Sequence, residues 1–213
     1  MKRIVVLISG RGTNLLSLAQ SIAEDRWRAQ IVGVISDGPD APGLRYAKQY
    51  VLETEVVDFR TFAVRADFDR ALAAAIDRRE PDFVVLAGFM RVLGREFVDH
   101  YAGRLLNIHP SLLPAFPGLH THRRALEAGV AVHGATVHLV GHEVDSGPII
   151  AQAALAVGAG DDETRLASRV LALEHRLYPM ALRWFVEDRV RVEDGRVVLV
   201  EPREGDARCL WGG

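Results

Sequence analysis

The sequence predicts an α/β fold: a doubly wound, mostly parallel sheet flanked by helices, with an antiparallel edge and a C-terminal hairpin. Three observations carry that expectation. Runs such as "RIVVLI" (3–8) and "FVVLAG" (83–88) are apolar nearly throughout rather than alternating, as in strands covered on both faces. Stretches with apolar residues at helical spacing separate them, so the first half reads β-α-β-α-β-α-β, with right-handed crossovers. The 213 residues are 49% hydrophobic and 25% charged, enough for one α/β domain with a full core.

Taken in order, the first strand (3–8) runs into Gly10-Arg11-Gly12-Thr13-Asn14, where a helix over 14–25 opens. Strands follow at "IVGVIS" (31–36), "TEVVDF" (54–59) and 83–88, with helices over 43–50 and 67–79 between them. "LLNIH" (105–109) is a further short strand, and Pro110 interrupts its pairing. After a stiff loop, "HRRALEAG" (122–129) is a short helix ending at Gly129. "AVHGATVHLV" (131–140) and "GPIIAQAAL" (147–155) form the antiparallel pair, joined by the polar turn "GHEVDS". A long helix covers about 161–188 from an acidic start, and Pro179 is expected to kink or break it. "VRVEDGRVVLV" (190–200) is a hairpin with an Asp-Gly turn. The last dozen residues, "PREGDARCLWGG", are expected to fray. The expected organisation is one catalytic domain over 1–188, with the hairpin and tail of 189–213 packed on it or frayed from it.

Charge and cysteine content narrow the function. A net charge of −2 and a pI near 6.4 give no global basic field for nucleic acid or an anionic membrane. Small-molecule substrates are the expected partners, and any anion must be held by a local site. Cys209 is the single cysteine, which points to a reducing cytoplasm. The run before Ser9 is too short for a secretory signal, and no stretch approaches the ~20 apolar residues of a membrane span. A monomer or homodimer is expected.

Three places hold chemistry. In "ISGRGTNLL", glycines let the chain turn sharply between strand and helix, so that free helix N–H groups point above the strand. Neither the third glycine of a dinucleotide fingerprint nor the Gly-Lys-Ser/Thr of a Walker loop is present, so the loop suits one phosphate group. A plain tight turn, with Thr13 or Asn14 as helix cap, is the other reading. Asn107 and His109 lie two apart on a strand and face the same way at its end. An amide donor and an imidazole are the groups needed to polarise a carbonyl and move a proton. Asp145, in "HEVDSGP", is either a turn residue or, folded back beside His109, the carboxylate that orients the ring. His120, His122, His133, His138 and His142 crowd one region without a recognisable ligand pattern, and no metal is expected. With no nucleophile elbow, noncovalent acyl transfer fits better than a covalent intermediate.

These residues lie in segments that resemble a known family. "ISGRGTNL", "VVLAGFMRVL", "LLNIHPSLLPAFPGLHTHRRALEAG", "HGATVHLV…EVDSGPIIAQAAL" and "EHRLYPMALRWF" are similar, in order over about residues 3–187, to phosphoribosylglycinamide formyltransferases. The resemblance implies a formyltransferase-like, Rossmann-like fold and transfer of a formyl group from 10-formyltetrahydrofolate, as co-substrate, to glycinamide ribonucleotide in purine synthesis. It implies that Asn107, His109 and Asp145 are catalytic, that Gly12, Thr13 and Asn14 hold the substrate phosphate, and that Glu174 binds the ribose hydroxyls. It further implies a folate pocket from Arg65, from Met90, Arg91, Val92 and Leu93, and from the turn Gly141, His142, Glu143 and Val144. Arg65 would face the glutamate tail. Arg11 and the Gly141-His142 pair depart from the family's usual residues. Methionyl-tRNA formyltransferase and formyltetrahydrofolate deformylase share the trio, but the first usually adds a basic RNA-binding domain and the second an N-terminal regulatory domain.

Overall fold

Continuous apolar runs become strands in this chain where they are buried on both faces. In this computed structural model, which describes residues 1–203 and 206–212, β1 (Lys2–Ile8) is the clearest case. Ile4 through Ile8 are 0% exposed. The chain divides into two compact units, Met1–Asn107 and the part from Ile108 onward.

The first unit alternates strand and helix: β1, α1 (Thr13–Glu24), β2 (Ala29–Ser36), α2 (Leu44–Gln49), β3 (Thr54–Val56), α3 (Arg65–Asp77), β4 (Phe83–Leu86) and α4 (Arg95–His100). β5 (Leu105–His109) begins in this unit, and its last two residues belong to the second. The strands run parallel in the order β3-β2-β1-β4-β5, with Ile4 opposite Phe83 and Leu7 opposite Leu86. Parallel strands bring their C-terminal ends to one edge of a sheet. Ser9, Asp37, Ala87 and Asn107 stand at those ends, where α/β proteins place their sites.

The second unit holds α5 (Thr121–Glu127), β6 (Val132–Leu139), β7 (Ile149–Ala156), α6 (Glu163–Val186), β8 (Val190–Glu193), β9 (Arg196–Leu199) and β10 (Cys209–Gly212). β6 and β7 are antiparallel, and Thr136 faces Gln152 across the pair. α6 packs on both strands through a buried stripe that includes Leu166, Val170, Leu177 and Leu182. β8 and β9 form a separate antiparallel hairpin, whose Asp194 and Gly195 both have positive φ, as a two-residue hairpin turn requires. The fold is thus a mostly parallel mixed sheet flanked by helices, with a detached hairpin.

Four local expectations change. α6 runs through Pro179 without a break, because residues on both sides of it, among them Leu177, Tyr178, Ala181 and Leu182, are buried and hold the helix in place. Residues 209–212 are not frayed: they pair in parallel with Gln152 to Leu155, supplying partners to the open backbone of β7. Residues 204, 205 and 213 of the expected tail lie outside the described residues. The strand expected over 54–59 stops at Val56, since Asp58 accepts from Arg60 N and starts a 3-10 turn over Phe59–Thr61. α4 was not expected, because six residues with only Phe97 and Val98 buried show no period. Among the described residues, no helix is long and apolar enough to cross a membrane.

Candidate active site

β5 ends with Asn107 and His109, two residues apart and therefore on one face. His109 is buried, and its Nδ1 lies 3.3 Å from Oδ1 of Asp145. Asp145, whose position the sequence left open, is placed against the ring by the tight turn 141–146. Gly141 N donates to Ser146 O (2.9 Å), and Ser146 Oγ donates to Glu143 O (2.7 Å). The chain leaves this turn through Gly147, at φ +118, where a Cβ would lie 2.2 Å from Leu139 O, so only glycine fits. His142, Glu143 and Val144 are exposed on the turn.

The loop after β5 completes this site with its backbone. His109 Nε2 is 3.0 Å from Phe116 O, and because a carbonyl only accepts, this nitrogen donates. Gly118 N donates to Asp145 Oδ2 (2.7 Å). Both ring nitrogens thus face oxygen acceptors, and both carboxylate oxygens are engaged. Buried Thr136 and half-buried Gln152 seat the loop. Leu113 N donates to Thr136 Oγ1 (3.0 Å), Thr136 Oγ1 donates to Ser111 O (2.7 Å), and Gln152 Nε2 donates to Leu113 O (2.9 Å).

The neighbouring histidines are electrostatically distinct. His122 Nδ1 lies 3.2 Å from His133 Nε2. Burial pushes the His133 imidazole down to about 4 and lowers His122 and His138 as well, so these rings are held in their neutral form at pH 7. His138 Nδ1 meets Leu139 O at 2.8 Å. In the same unit, Glu174 is buried on α6.

In the first unit, Gly12 is the N-cap of α1 at φ +72, and a Cβ there would lie 2.5 Å from Gly43 Cα. No side chain caps this helix, so neither Thr13 nor Asn14 takes the capping role that the sequence allowed. Thr13 is half-buried, Asn14 is buried and Arg11 is exposed. Met90 and Val92 are exposed and Leu93 is buried. Arg91 is turned inward: its Nε donates to Asp37 Oδ2 (2.6 Å), and its guanidinium lies 3.5 Å from the Phe59 ring centroid. Arg65, exposed at the start of α3, has its Nε 3.9 Å from Asp69 Oδ2.

Among the expected site residues, the structure brings His109 to Asp145 and links the strand end before Gly12 to Met90 through Ser9, whose Oγ accepts from Met90 N (2.8 Å). Arg65 reaches the end of the 90–93 segment: its guanidinium lies 3.6 Å from where a Cβ on Gly94 would stand, and Asp69 faces Arg65 while accepting from Gly94 N (2.9 Å). Ser9, Asp37, Asp69, Phe116 and Gly118 went unnoticed in the sequence. The serine at the end of an apolar strand was a signal, whereas Phe116 and Gly118 act through backbone atoms and leave none.

The chain matches the formyl transferase family over residues 2–182. Phosphoribosylglycinamide formyltransferase of Escherichia coli (strain K12) is 48% identical to it over 191 residues, covering 90% of each chain. The enzyme of the same name from Haemophilus influenzae is 40% identical over 199 residues, 93% of this chain and 94% of its own. The crystal structure of glycinamide ribonucleotide transformylase 1 from Symbiobacterium toebii superposes with a TM-score of 0.92 at 46% identity, over 94% of this chain and 95% of that one. A family match across most of the sequence, together with relatives alike over nearly their whole length, makes this chain a member of the formyl transferase family.

Proposed function

We propose that the protein transfers the formyl group of 10-formyltetrahydrofolate to the amine of glycinamide ribonucleotide, in cytoplasmic de novo purine synthesis. The observation that carries this reading is buried His109 at the end of β5, two residues from Asn107, with Asp145 against its ring. The names of these relatives support glycinamide ribonucleotide as the acceptor, and membership of the formyl transferase family supports a folate-type donor.

The neutral amine attacks the formyl carbon and negative charge grows on the formyl oxygen. Asn107 Nδ2–H and His109 Nε2–H donate to that oxygen, each worth about 3–4 kcal/mol of barrier when well aimed. The Nε2–H bonded to Phe116 O is the donor that the formyl oxygen takes over. Asp145 orients the ring through Nδ1. As the intermediate collapses, the new C–N bond to the amine is kept and the bond to folate N10 breaks. The proton lost by the amine ends on N10, relayed past Asp145. Gly12, Thr13 and Asn14 hold the single phosphate and Glu174 the ribose hydroxyls, which fixes the amine in place before reaction. Arg65, Met90 to Leu93 and the turn Gly141 to Val144 hold the folate.

The test is an assay of the purified protein with glycinamide ribonucleotide and 10-formyltetrahydrofolate. The wild type forms the formylated ribonucleotide, and His109→Ala loses at least about a hundredfold in turnover. Release of formate without formylated product, or near-normal turnover in His109→Ala, would refute the reading.

A further inference from the structure

The segment 90–93, which exposes Met90 and Val92, is gripped at three points by side chains that the reaction itself does not use. Each comes from a different part of the first unit. At the front, Ser9 at the end of β1 donates its N–H to Gly88 O (3.3 Å) and accepts from Met90 N at its hydroxyl (2.8 Å). In the middle, Asp37 at the end of β2 takes Arg91 Nε (2.6 Å) while Phe59 supports the guanidinium from its face. Asp37 is only 3% exposed and is itself fixed: its N–H donates to Ile8 O (3.3 Å) and its carbonyl accepts from Phe59 N (3.1 Å). At the back, Asp69 on α3 accepts from Gly94 N (2.9 Å) so closely that a Cβ on Gly94 would lie 2.7 Å from the carboxylate.

Burial shows that the third grip costs free energy to maintain. Asp69 is 7% exposed, its Oδ1 has no hydrogen-bond partner, and desolvation raises its carboxyl above the usual range. A buried carboxylate that holds one backbone N–H and meets only the exposed Arg65 Nε at 3.9 Å is a poor stabilising device. Its use makes sense if the position of that N–H matters. Between the grips, Met90 and Val92 stand 64% and 55% exposed, apolar side chains presented outward by a backbone that is pinned. Exposed apolar side chains on a rigid backbone are preorganised to pack against the face of a flat ring system.

We propose that Ser9, Asp37 and Asp69 are positioning residues that hold segment 90–93 in its ligand-ready shape, and so set affinity for the formyl-folate. The inference rests on the folate reading above. It assigns these three residues no contact with the formyl group or with the ribonucleotide.

The test compares Ser9→Ala, Asp37→Ala and Asp69→Ala with the conservative Ser9→Thr and Asp69→Asn, each of which keeps an acceptor oxygen. Steady-state kinetics are run with each substrate varied in turn, beside direct calorimetric binding of 10-formyltetrahydrofolate. The alanine variants raise KM and Kd for the formyl-folate about tenfold, while kcat and KM for the ribonucleotide stay within about twofold. Thr and Asn restore most of the loss. A general structural weakening lowers melting temperature in alanine and conservative variants without this split between the two substrates, and that result would overturn the assignment. Alanine variants that bind the formyl-folate as the wild type does sink the proposal alone. If the wild type binds no formyl-folate, the folate reading fails and the proposal with it. If Asp69→Ala does not fold, Ser9→Ala and Asp37→Ala decide the matter, since each acts on a different atom of the segment.

Discussion

The two units of the chain are built on opposite plans. In the first unit, framework side chains reach out to grip segment 90–94, and that segment turns Met90 and Val92 outward. In the second, neutral groups, buried Thr136 and half-buried Gln152, seat the loop at 111–115, and the residues just beyond offer backbone atoms to a histidine–carboxylate pair. The first plan displays a shape and suits recognition. The second orients a histidine and a carboxylate and suits proton movement. On this comparison, damage to the first unit registers in binding, while damage to the second registers in turnover and in response to pH.

The comparison breaks most decisively at Asp145. Asn in its place still accepts from Gly118 N but removes the charge beside His109 Nδ1. Turnover is expected to fall about 10²–10³-fold with both KM values changed only a few-fold, by analogy with losing one transition-state donor. Steady-state kinetics that show the reverse, raised KM and preserved kcat, would place Asp145 in binding and erase the contrast between the units.

Next in size is Gly12→Ala in the first unit. The φ of +72 and the 2.5 Å approach to Gly43 Cα act together, so about 2–3 kcal/mol of stability is expected to be lost in denaturant unfolding. Function should change as KM for the ribonucleotide, with kcat retained once the protein is folded. A matched fall in kcat would show that this loop shapes the chemical step.

Thr136→Val sharpens the other side. Valine keeps the shape but leaves Leu113 N and Ser111 O without the hydroxyl, at a cost of about 1–2 kcal/mol, and Thr136→Ser should recover most of it. Since Phe116 lies just beyond the seated residues, the valine variant should also lose turnover several-fold with KM unchanged. Valine and serine variants of equal stability and rate would mean that packing, not the hydroxyl, seats the loop.

How much of this was legible in the sequence follows from the same contrast. The strand cores were readable because burial on both faces writes an uninterrupted apolar run, as at Ile4–Ile8. The Asp-Gly hairpin was readable because its turn needs positive φ at two adjacent residues. The behaviour of Pro179 was not, since local propensity points to a break and only the tertiary burial of α6 overrides it. In the site, Asn107 and His109 could be paired by strand period alone. Asp145 could not be placed, because the long stretch of chain between it and His109 decides where it returns. Phe116 O and Gly118 N were invisible: any residue carries those atoms. Of the framework residues, Ser9 left a weak signal at the end of its apolar strand, while Asp37 and Asp69 left none, as a polar residue at a strand end or on a helix is ordinarily just solvated.

The smallest expected effect concerns acid stability and belongs wholly to the second unit. His133 has its folded value pushed down to about 4 by burial, against an ordinary 6.5, and His122 and His138 shift the same way. Between those limits the unfolded chain binds more protons than the folded one, so stability rises with pH across that window. The His133 contribution is therefore complete above pH 6.5 and is lost as pH falls towards 4. His133→Gln removes one of the three groups. Its loss of stability between about pH 6.5 and 5 should be about 1 kcal/mol smaller than that of the wild type. Urea unfolding at several pH values measures the difference directly. Parallel curves for variant and wild type would mean that His133 takes up its proton without unfolding, and that the second unit tolerates a charge where its burial forbids one.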